Sequence, residues 1–315
     1  MAEKVDILQV IDFPSFTNAR LESLFSVHKS FQAKDPDAFV EGLTQRIRGI
    51  VLTPPATARR ALLEKLPKLE IISAFAVGVD VVDLDRAAER GIIVTNTPDV
   101  LTDCVADLGM GLLVAISRGI VAGDRYVRAG RWLREGDMHL TTALGGKTLG
   151  VVGLGRIGKA VAKRAEAFGM KIAYHGRRKQ TGVDYAYHPD AASLARAADF
   201  LVLCCPGGDA TRHMIDAEVL TALGPEGFLV NIARGAVVDE AALIEACQKG
   251  TIAGAALDVF ENEPRVPEAL FGLENVIVQP HQASATVATR TAMGNMMIDN
   301  LVRHFAGEPV LTPVG

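Results

Sequence analysis

Through the first hundred residues, short runs rich in aliphatic and β-branched residues alternate with stretches whose apolar positions recur every three or four residues. The runs predict strands at Val5–Ile11, His28–Phe31, Gly49–Leu52, Ile71–Phe75 and Ile92–Thr95. The stretches between them predict helices over Thr17–Val27, Pro36–Arg46 and Ala56–Leu66, with a fourth over Asp83–Arg90 that opens on an acidic turn and stops at Gly91. Strand and helix in alternation imply a parallel sheet, because each crossover must carry the chain back to the same end. After Pro98 the pattern changes. Small and apolar residues dominate from Thr102 to about Arg131, which predicts one long helix, either buried or paired with a second copy, with Gly109, Gly111 and Gly119 permitting close packing. The alternation then resumes, with strands at Thr148–Val152, Lys171–Tyr174, Phe200–Cys204, Phe228–Ile232, Ile252–Leu257 and Val276–Val278, and so predicts a second parallel sheet. The last helical stretch, Thr286–Phe305, is expected to return to the first sheet, and its Met293, Met296 and Met297 to fill core space.

Composition narrows the class. A chain of 315 residues has room for two domains. Hydrophobic residues at 49% and charged residues at 22% fit a soluble globular protein and exclude disorder as the main state. Lys and Arg total 33 against 37 Asp and Glu, a net charge of −4, so no nucleic-acid partner is expected. The start shows no basic leader followed by a long apolar region, and runs such as Met110–Ile116 fall well short of the ~20 residues of a bilayer span, so the expectation is a cytoplasmic protein without a membrane partner. Cys104, Cys204, Cys205 and Cys247 show no C-x-x-C spacing, and the adjacent Cys204 and Cys205, in an apolar run, read as reduced thiols borne on a strand.

One motif carries chemistry by its context. Lys147 to Gly158 places G-x-G-x-x-G (Gly153, Gly155, Gly158) directly after an apolar strand and before a helix over Arg156–Phe168. Gly153 would make the tight turn, Gly155 admit a pyrophosphate to the backbone, and Gly158 seat the helix on the strand with its N–H groups facing the anion. A site selective for NAD would place Asp or Glu about 20 residues further on. This chain has Tyr174-His175-Gly176-Arg177-Arg178-Lys179 instead, whose guanidinium groups can fork onto a 2′-phosphate. NADP(H) is the expected cofactor, with NAD(H) as the alternative.

Six segments together resemble the D-isomer-specific 2-hydroxyacid dehydrogenases, most closely the glyoxylate and hydroxypyruvate reductase branch. They are Ala76-Val77-Gly78-Val79-Asp80, Asp103-Cys-Val-Ala-Asp107, the glycine motif, Asn231-Ile-Ala-Arg234-Gly235, Asp258-Val-Phe-Glu-Asn-Glu263-Pro264 and Pro280-His281-Gln-Ala-Ser284. The resemblance implies an α/β fold of two Rossmann-like or flavodoxin-like parallel-sheet domains with a cleft between them. A substrate-binding lid would comprise 1–98 plus 285–315, and a dinucleotide-binding domain with a dimerisation helix would comprise 99–284. It implies cofactor contacts from Thr102, Leu154, Arg156, Ile157, His175, Cys205, Pro206, Thr211, Ile232, Ala233, Asp258 and Ser284 besides the glycines and arginines above. It implies a homodimer through the 102–131 region, with Trp132 either reaching a partner's cleft or packing simply at the interface. Leu52, Val77 and Gly78 would meet the substrate from the lid.

The residue types suit 2-keto acid reduction on chemical grounds. Hydride transfer to a keto carbon needs a cation for the carboxylate, an acid for the forming alkoxide, and a group that keeps the acid protonated. Arg234 supplies the charged fork, His281 an imidazole able to carry and deliver a proton, and Glu263 the carboxylate that pairs with it. The absence of a G-x-S-x-G elbow, H-E-x-x-H, P-loop or zinc-type Cys and His spacing leaves no metal expected. Glu263 and Pro280 depart from the Gln and His pairing of formate dehydrogenases, which disfavours formate. Two alternatives remain at this level: a reductase of another 2-keto acid, of 2-ketogluconate or hydroxyphenylpyruvate type, and a dinucleotide-sensing protein resembling the C-terminal-binding corepressors, which keep the same three side chains.

Overall fold

In the computed structural model, which describes residues 4–314, five parallel strands form the sheet of the first unit: β1 (Asp6–Gln9), β2 (Ser26–Lys29), β3 (Gly49–Leu52), β4 (Ile71–Ala74) and β5 (Ile93–Thr95), in the order β2-β1-β3-β4-β5. This is the flavodoxin-like order. Crossovers run through α1 (Ser15–Leu24), α2 (Pro36–Glu41), α3 (Arg60–Lys65) and α4 (Leu84–Glu89). Every position of β3 and β4 is buried, which is why both read as unbroken apolar runs, whereas the edge strand β2 is half-buried throughout. Ile50, Leu63, Leu66 and Ile72 form the core of this unit.

The C-terminal helix (Val287–Phe305) packs on the same sheet: Ser73 Oγ on β4 donates to the Met297 carbonyl at 2.9 Å, and Met293 and Met297 are buried. By packing, the unit comprises the described residues of Met1–Leu101 and Ser284–Gly315, and the other unit is Thr102–Ala283.

Several boundaries differ from the sequence expectation for tertiary reasons. The second strand begins at Ser26 rather than His28, because Ser26 pairs with Asp6 of β1; the chain is therefore extended by Phe25, and α1 ends at Leu24 instead of Val27. Residues Ser30–Gln32 close a 3-10 turn where strand was expected to Phe31. β1 keeps only four of the seven residues expected, and α2 stops at Glu41, with Gly42 following, instead of Arg46. α3 starts at Arg60, not Ala56, because Ala58 bridges to Val82, its N–H donating to the Val81 carbonyl at 2.9 Å.

The second unit opens with α5 (Thr102–Ser117), α6 (Ile120–Arg128) and α7 (Arg131–Glu135). The single long helix expected here is thus three: the chain bends by 57° at Gly119, which adopts φ 59°, and breaks again at Gly130 with φ 66°. Gly119 therefore ends a helix rather than packing one, and Gly111 faces open space. Only Gly109 makes the close approach, since an added Cβ would lie 2.7 Å from Ile232 Cδ1. α5 is a core helix, with Val105, Leu112, Leu113 and Ile116 buried.

Seven parallel strands follow: β6 (Thr148–Val152), β7 (Lys171–His175), β8 (Ala186–His188), β9 (Phe200–Leu203), β10 (Phe228–Asn231), β11 (Gly254–Leu257) and β12 (Val276–Val278), ordered β12-β11-β10-β9-β6-β7-β8. β8 escaped the sequence reading, being a three-residue edge strand with no buried position. Helices α8 (Arg156–Ala167), α9 (Ala191–Ala197), α10 (Ala217–Leu223) and α11 (Glu240–Lys249) make the crossovers. Strand order reverses at β6, which pairs with β7 on one side and β9 on the other; this switch point opens the crevice where doubly wound sheets bind ligands. Among the described residues no single helix is long and apolar enough to cross a membrane.

Candidate active site

The glycine turn lies at the switch point. Gly153 leaves β6 at φ 93°, and an added Cβ would fall 2.7 Å from both N and Cα of Cys205, which follows β9. Gly158 in α8 presses against the Gly153 carbonyl, where an added Cβ would clash. Gly155 is different: a Cβ there would meet no atom within 4 Å, so protein packing does not call for glycine at this position. Gly155 is also the N-cap of α8 and offers no side-chain hydrogen bond to the first-turn N–H groups. Open space at Gly155, in front of the helix N-terminus, fits a dinucleotide pyrophosphate.

The end of β7 carries no carboxylate. His175 Nδ1 lies 3.1 Å from the His188 carbonyl, while Arg177 and Arg178 are exposed and form no ion pair among the described residues. The turn bearing them is tied back, with Gln180 Nε2 donating to the Leu154 carbonyl at 2.7 Å and its backbone N–H to the Tyr174 hydroxyl at 2.8 Å. Gln180 had no sequence signal, since a glutamine five residues past a strand has no motif of its own.

Arg234, Glu263 and His281, predicted from distant stretches, converge within the second unit. Asn231, buried at the end of β10, accepts from Ala233 N–H at 3.0 Å and donates to the Arg234 carbonyl at 3.0 Å, setting the turn that presents Arg234. The Arg234 stem crosses Gly207, where an added Cβ would lie 2.9 Å from its Cγ. Gly235 fits flush against the Phe260 carbonyl group and Glu261 nitrogen, a contact that no side chain would allow. It joins the Arg234 turn to the turn bearing Glu263.

Glu263 Oε1 accepts from Phe260 N–H at 3.0 Å, and Oε2 lies 2.6 Å from His281 Nδ1. Burial pushes the Glu263 carboxyl up, but the His281 hydrogen bond and charge, the Phe260 N–H and the Arg234 charge outweigh it and hold it below its ordinary value. An ionised carboxylate only accepts, so the proton between the pair sits on Nδ1, leaving Nε2 to exchange a proton with a substrate.

His281 adopts φ 50°, sparsely populated for a non-glycine residue, and the turn is clamped by Asp258. The Asp258 side chain is 1% exposed and accepts from Gln282 N–H at 2.7 Å and Ala283 N–H at 2.9 Å, while its carbonyl accepts from His281 N–H at 2.8 Å. Burial raises the Asp258 carboxyl above its ordinary value.

Around these groups, Pro206 and Thr211 lie in one loop after β9, with Thr211 Oγ1 donating to the Pro206 carbonyl at 2.8 Å. Leu154, Ile232 and Ala233 are buried, and Arg156 and Ile157 open α8. Thr102 begins α5. The remaining predicted residues belong to the first unit. Leu52 is buried in that unit's core, and Ser284 lies just before the C-terminal helix. The loop after β4 is anchored through carbonyls: Thr97 N–H donates to Ala76 and Asn96 Nδ2 to Val77, each at 2.8 Å. The amides of Val77 and Gly78 make no hydrogen bond among the described residues, as an anion cradle requires. No cluster of three or more His, Cys, Asp or Glu capable of holding a metal occurs among the described residues.

A glycine turn at the switch point of a doubly wound sheet, with a cation and a hydrogen-bonded histidine–carboxylate pair beyond the strand ends, defines a dinucleotide-dependent oxidoreductase. Residues 110–283 match the model of the D-isomer specific 2-hydroxyacid dehydrogenase NAD binding domain. The chain is 47% identical over 312 residues, 99% of both chains, to a glyoxylate/hydroxypyruvate reductase A of Arabidopsis thaliana, and 43% identical over the whole length of a 2-ketogluconate reductase of Gluconobacter oxydans. Its structure is similar to that of an NADPH-dependent glyoxylate/hydroxypyruvate reductase from Sinorhizobium meliloti crystallised with NADP and malonate, with TM-score 0.91 and 44% identity over 99% of this chain and 97% of that one. The protein belongs to the D-isomer specific 2-hydroxyacid dehydrogenase family.

Proposed function

We propose that the protein reduces small 2-keto acids, glyoxylate and hydroxypyruvate foremost, to D-2-hydroxy acids with NADPH. The observation that carries this reading is the 2.6 Å contact between His281 and an ionised Glu263, on a turn that Gly235 joins to Arg234. The glycine turn and α8 N–H groups would hold the pyrophosphate of the dinucleotide, which when bound supplies the hydride. Arg234 grips the substrate carboxylate and polarises the keto oxygen. His281 Nε2 donates the proton to that oxygen as it gains charge, and Glu263 stabilises the resulting imidazole orientation through Nδ1.

Preference for NADPH is supported by Arg177 and Arg178, exposed cations at the end of a strand that bears no carboxylate. A homodimer is supported by the α6–α7 arm and the segment after it, where Leu133 and Leu140 are 94% and 98% exposed, too apolar a surface to favour water; the mass in solution tests it. The four free cysteines, three of them raised by burial, fit a reducing compartment, the cytoplasm.

The experiment is a cofactor-oxidation assay with NADPH and NADH against glyoxylate, hydroxypyruvate, pyruvate, a ketogluconate and a phenylpyruvate. Replacing Arg177 and Arg178 together by Ala is expected to raise KM for NADPH by about 10–100-fold and to leave NADH nearly unchanged. Equal losses for both cofactors would reject the phosphate assignment, and binding of dinucleotide without turnover would favour the corepressor-like alternative.

A further inference from the structure

A second histidine–glutamate pair sits on the turn that carries the first. Glu261, two residues before Glu263, places Oε1 2.7 Å from His213 Nε2 and 3.1 Å from Arg212 Nη2. The two histidines share an unusual backbone: His213 has φ 49° and His281 φ 50°, and Asp99 is the one other non-glycine residue with positive φ among those described. Non-glycine residues hold such a conformation only where their surroundings impose it. For His213 the imposing contacts are its N–H, which donates to the Ala236 carbonyl at 2.8 Å, and its ring on Glu261.

The pair joins two loops with different duties. One is the loop after β9, where Pro206, Gly207 and Thr211 precede Arg212 and His213, and where Gly207 lies under the Arg234 stem. The other is the turn after β11, from Phe260 to Glu263, whose backbone N–H at Phe260 binds the Glu263 carboxylate. Glu261 is held from a third side as well, its N–H donating to Glu240 Oε1 of α11 at 3.3 Å. Its carboxylate therefore ties the cofactor-side loop to the turn presenting the acid pair. His213 and Glu261 are 37% and 22% exposed at their side chains, so the pair contributes little as an ordinary surface ion pair, and its value lies in what it aligns.

We infer that His213, Arg212 and Glu261 form a positioning latch that registers the dinucleotide-contact loop with the Glu263–His281 pair, so that cofactor binding and proton delivery are set together. The inference rests on the reductase reading above. All three are assigned a positioning role, acting through the loop that carries Thr211 and the turn that carries Glu263.

The test is a double-mutant cycle on the full chain, with His213→Ala, Glu261→Ala and the double variant, reading the NADPH Kd by fluorescence titration, kcat with glyoxylate, and the thermal midpoint. Each single variant is expected to weaken NADPH binding and to lower kcat, both by about 3- to 30-fold, with the double variant no worse than the poorer single one. Kd and kcat within two-fold of wild type in both singles, or losses that simply add in the double, would overturn the latch. A lowered thermal midpoint with unchanged kinetics per folded molecule would overturn it too, making the pair a fold contact only. Wild-type protein that oxidises neither cofactor with any keto acid would refute the reductase reading instead, and the Kd cycle would still judge the latch.

Discussion

The two units share a plan of parallel strands and crossover helices, yet their buried polar side chains serve different ends. In the first unit they close the framework. Asn300, fully buried, donates to the Met296 carbonyl and to Thr312 Oγ1, both at 2.9 Å, and accepts from Leu311 and Thr312 N–H, fixing the C-terminal segment to the helix before it. Ser73 and Thr95, also buried, bond to each other at 2.8 Å across β4 and β5. In the second unit two buried polar residues sit at strand ends and aim turns: Asn231 shapes the turn of Arg234, and Asp258 clamps that of His281. The difference shows why one architecture hosts many activities, since chemistry resides in the turns beyond the sheet and in the groups that hold them.

The comparison can be broken most decisively at His281. His281→Gln is expected to lower kcat/KM for keto-acid reduction by about 10²–10⁴-fold, with NADPH affinity and thermal midpoint close to wild type. A matching collapse in stability would mean that the second unit, like the first, uses its polar groups as framework. The converse substitution is Asn300→Ala. It strands several buried donors and acceptors and should cost roughly 2–4 kcal/mol in urea unfolding, while kcat/KM per folded molecule stays unchanged. Loss of activity without loss of stability would erase the contrast from the other side.

A smaller effect sharpens it through pH. Glu263 is depressed below its ordinary value of 4.5, so the stability it contributes is complete above that value and is lost as pH falls through the lower, folded-state one. The urea midpoints of wild type and Glu263→Gln should therefore differ most near neutral pH and converge as pH falls below 4.5 and through the lower folded-state value. A difference that persists in acid would show that His281 and Arg234 do not hold the carboxylate ionised.

Sequence alone determined the element rhythm, because helix and strand periodicities are local, and it determined the glycine turn, because its spacing is imposed by a strand-to-helix junction only a few residues long. It also named Arg234, Glu263 and His281, although only through their joint order along the chain. Tertiary structure decided what depends on distant neighbours. Phe25 looked helical until Ser26 had to pair with Asp6. Gly119 looked like a packing residue, but its left-handed φ bends the chain. β8 exists because β7 offers it an edge. The His213–Glu261 contact spans 48 residues and the His281–Glu263 contact 18; no period in the chain encodes either, since such distances are fixed only when sheet order brings the strand ends side by side.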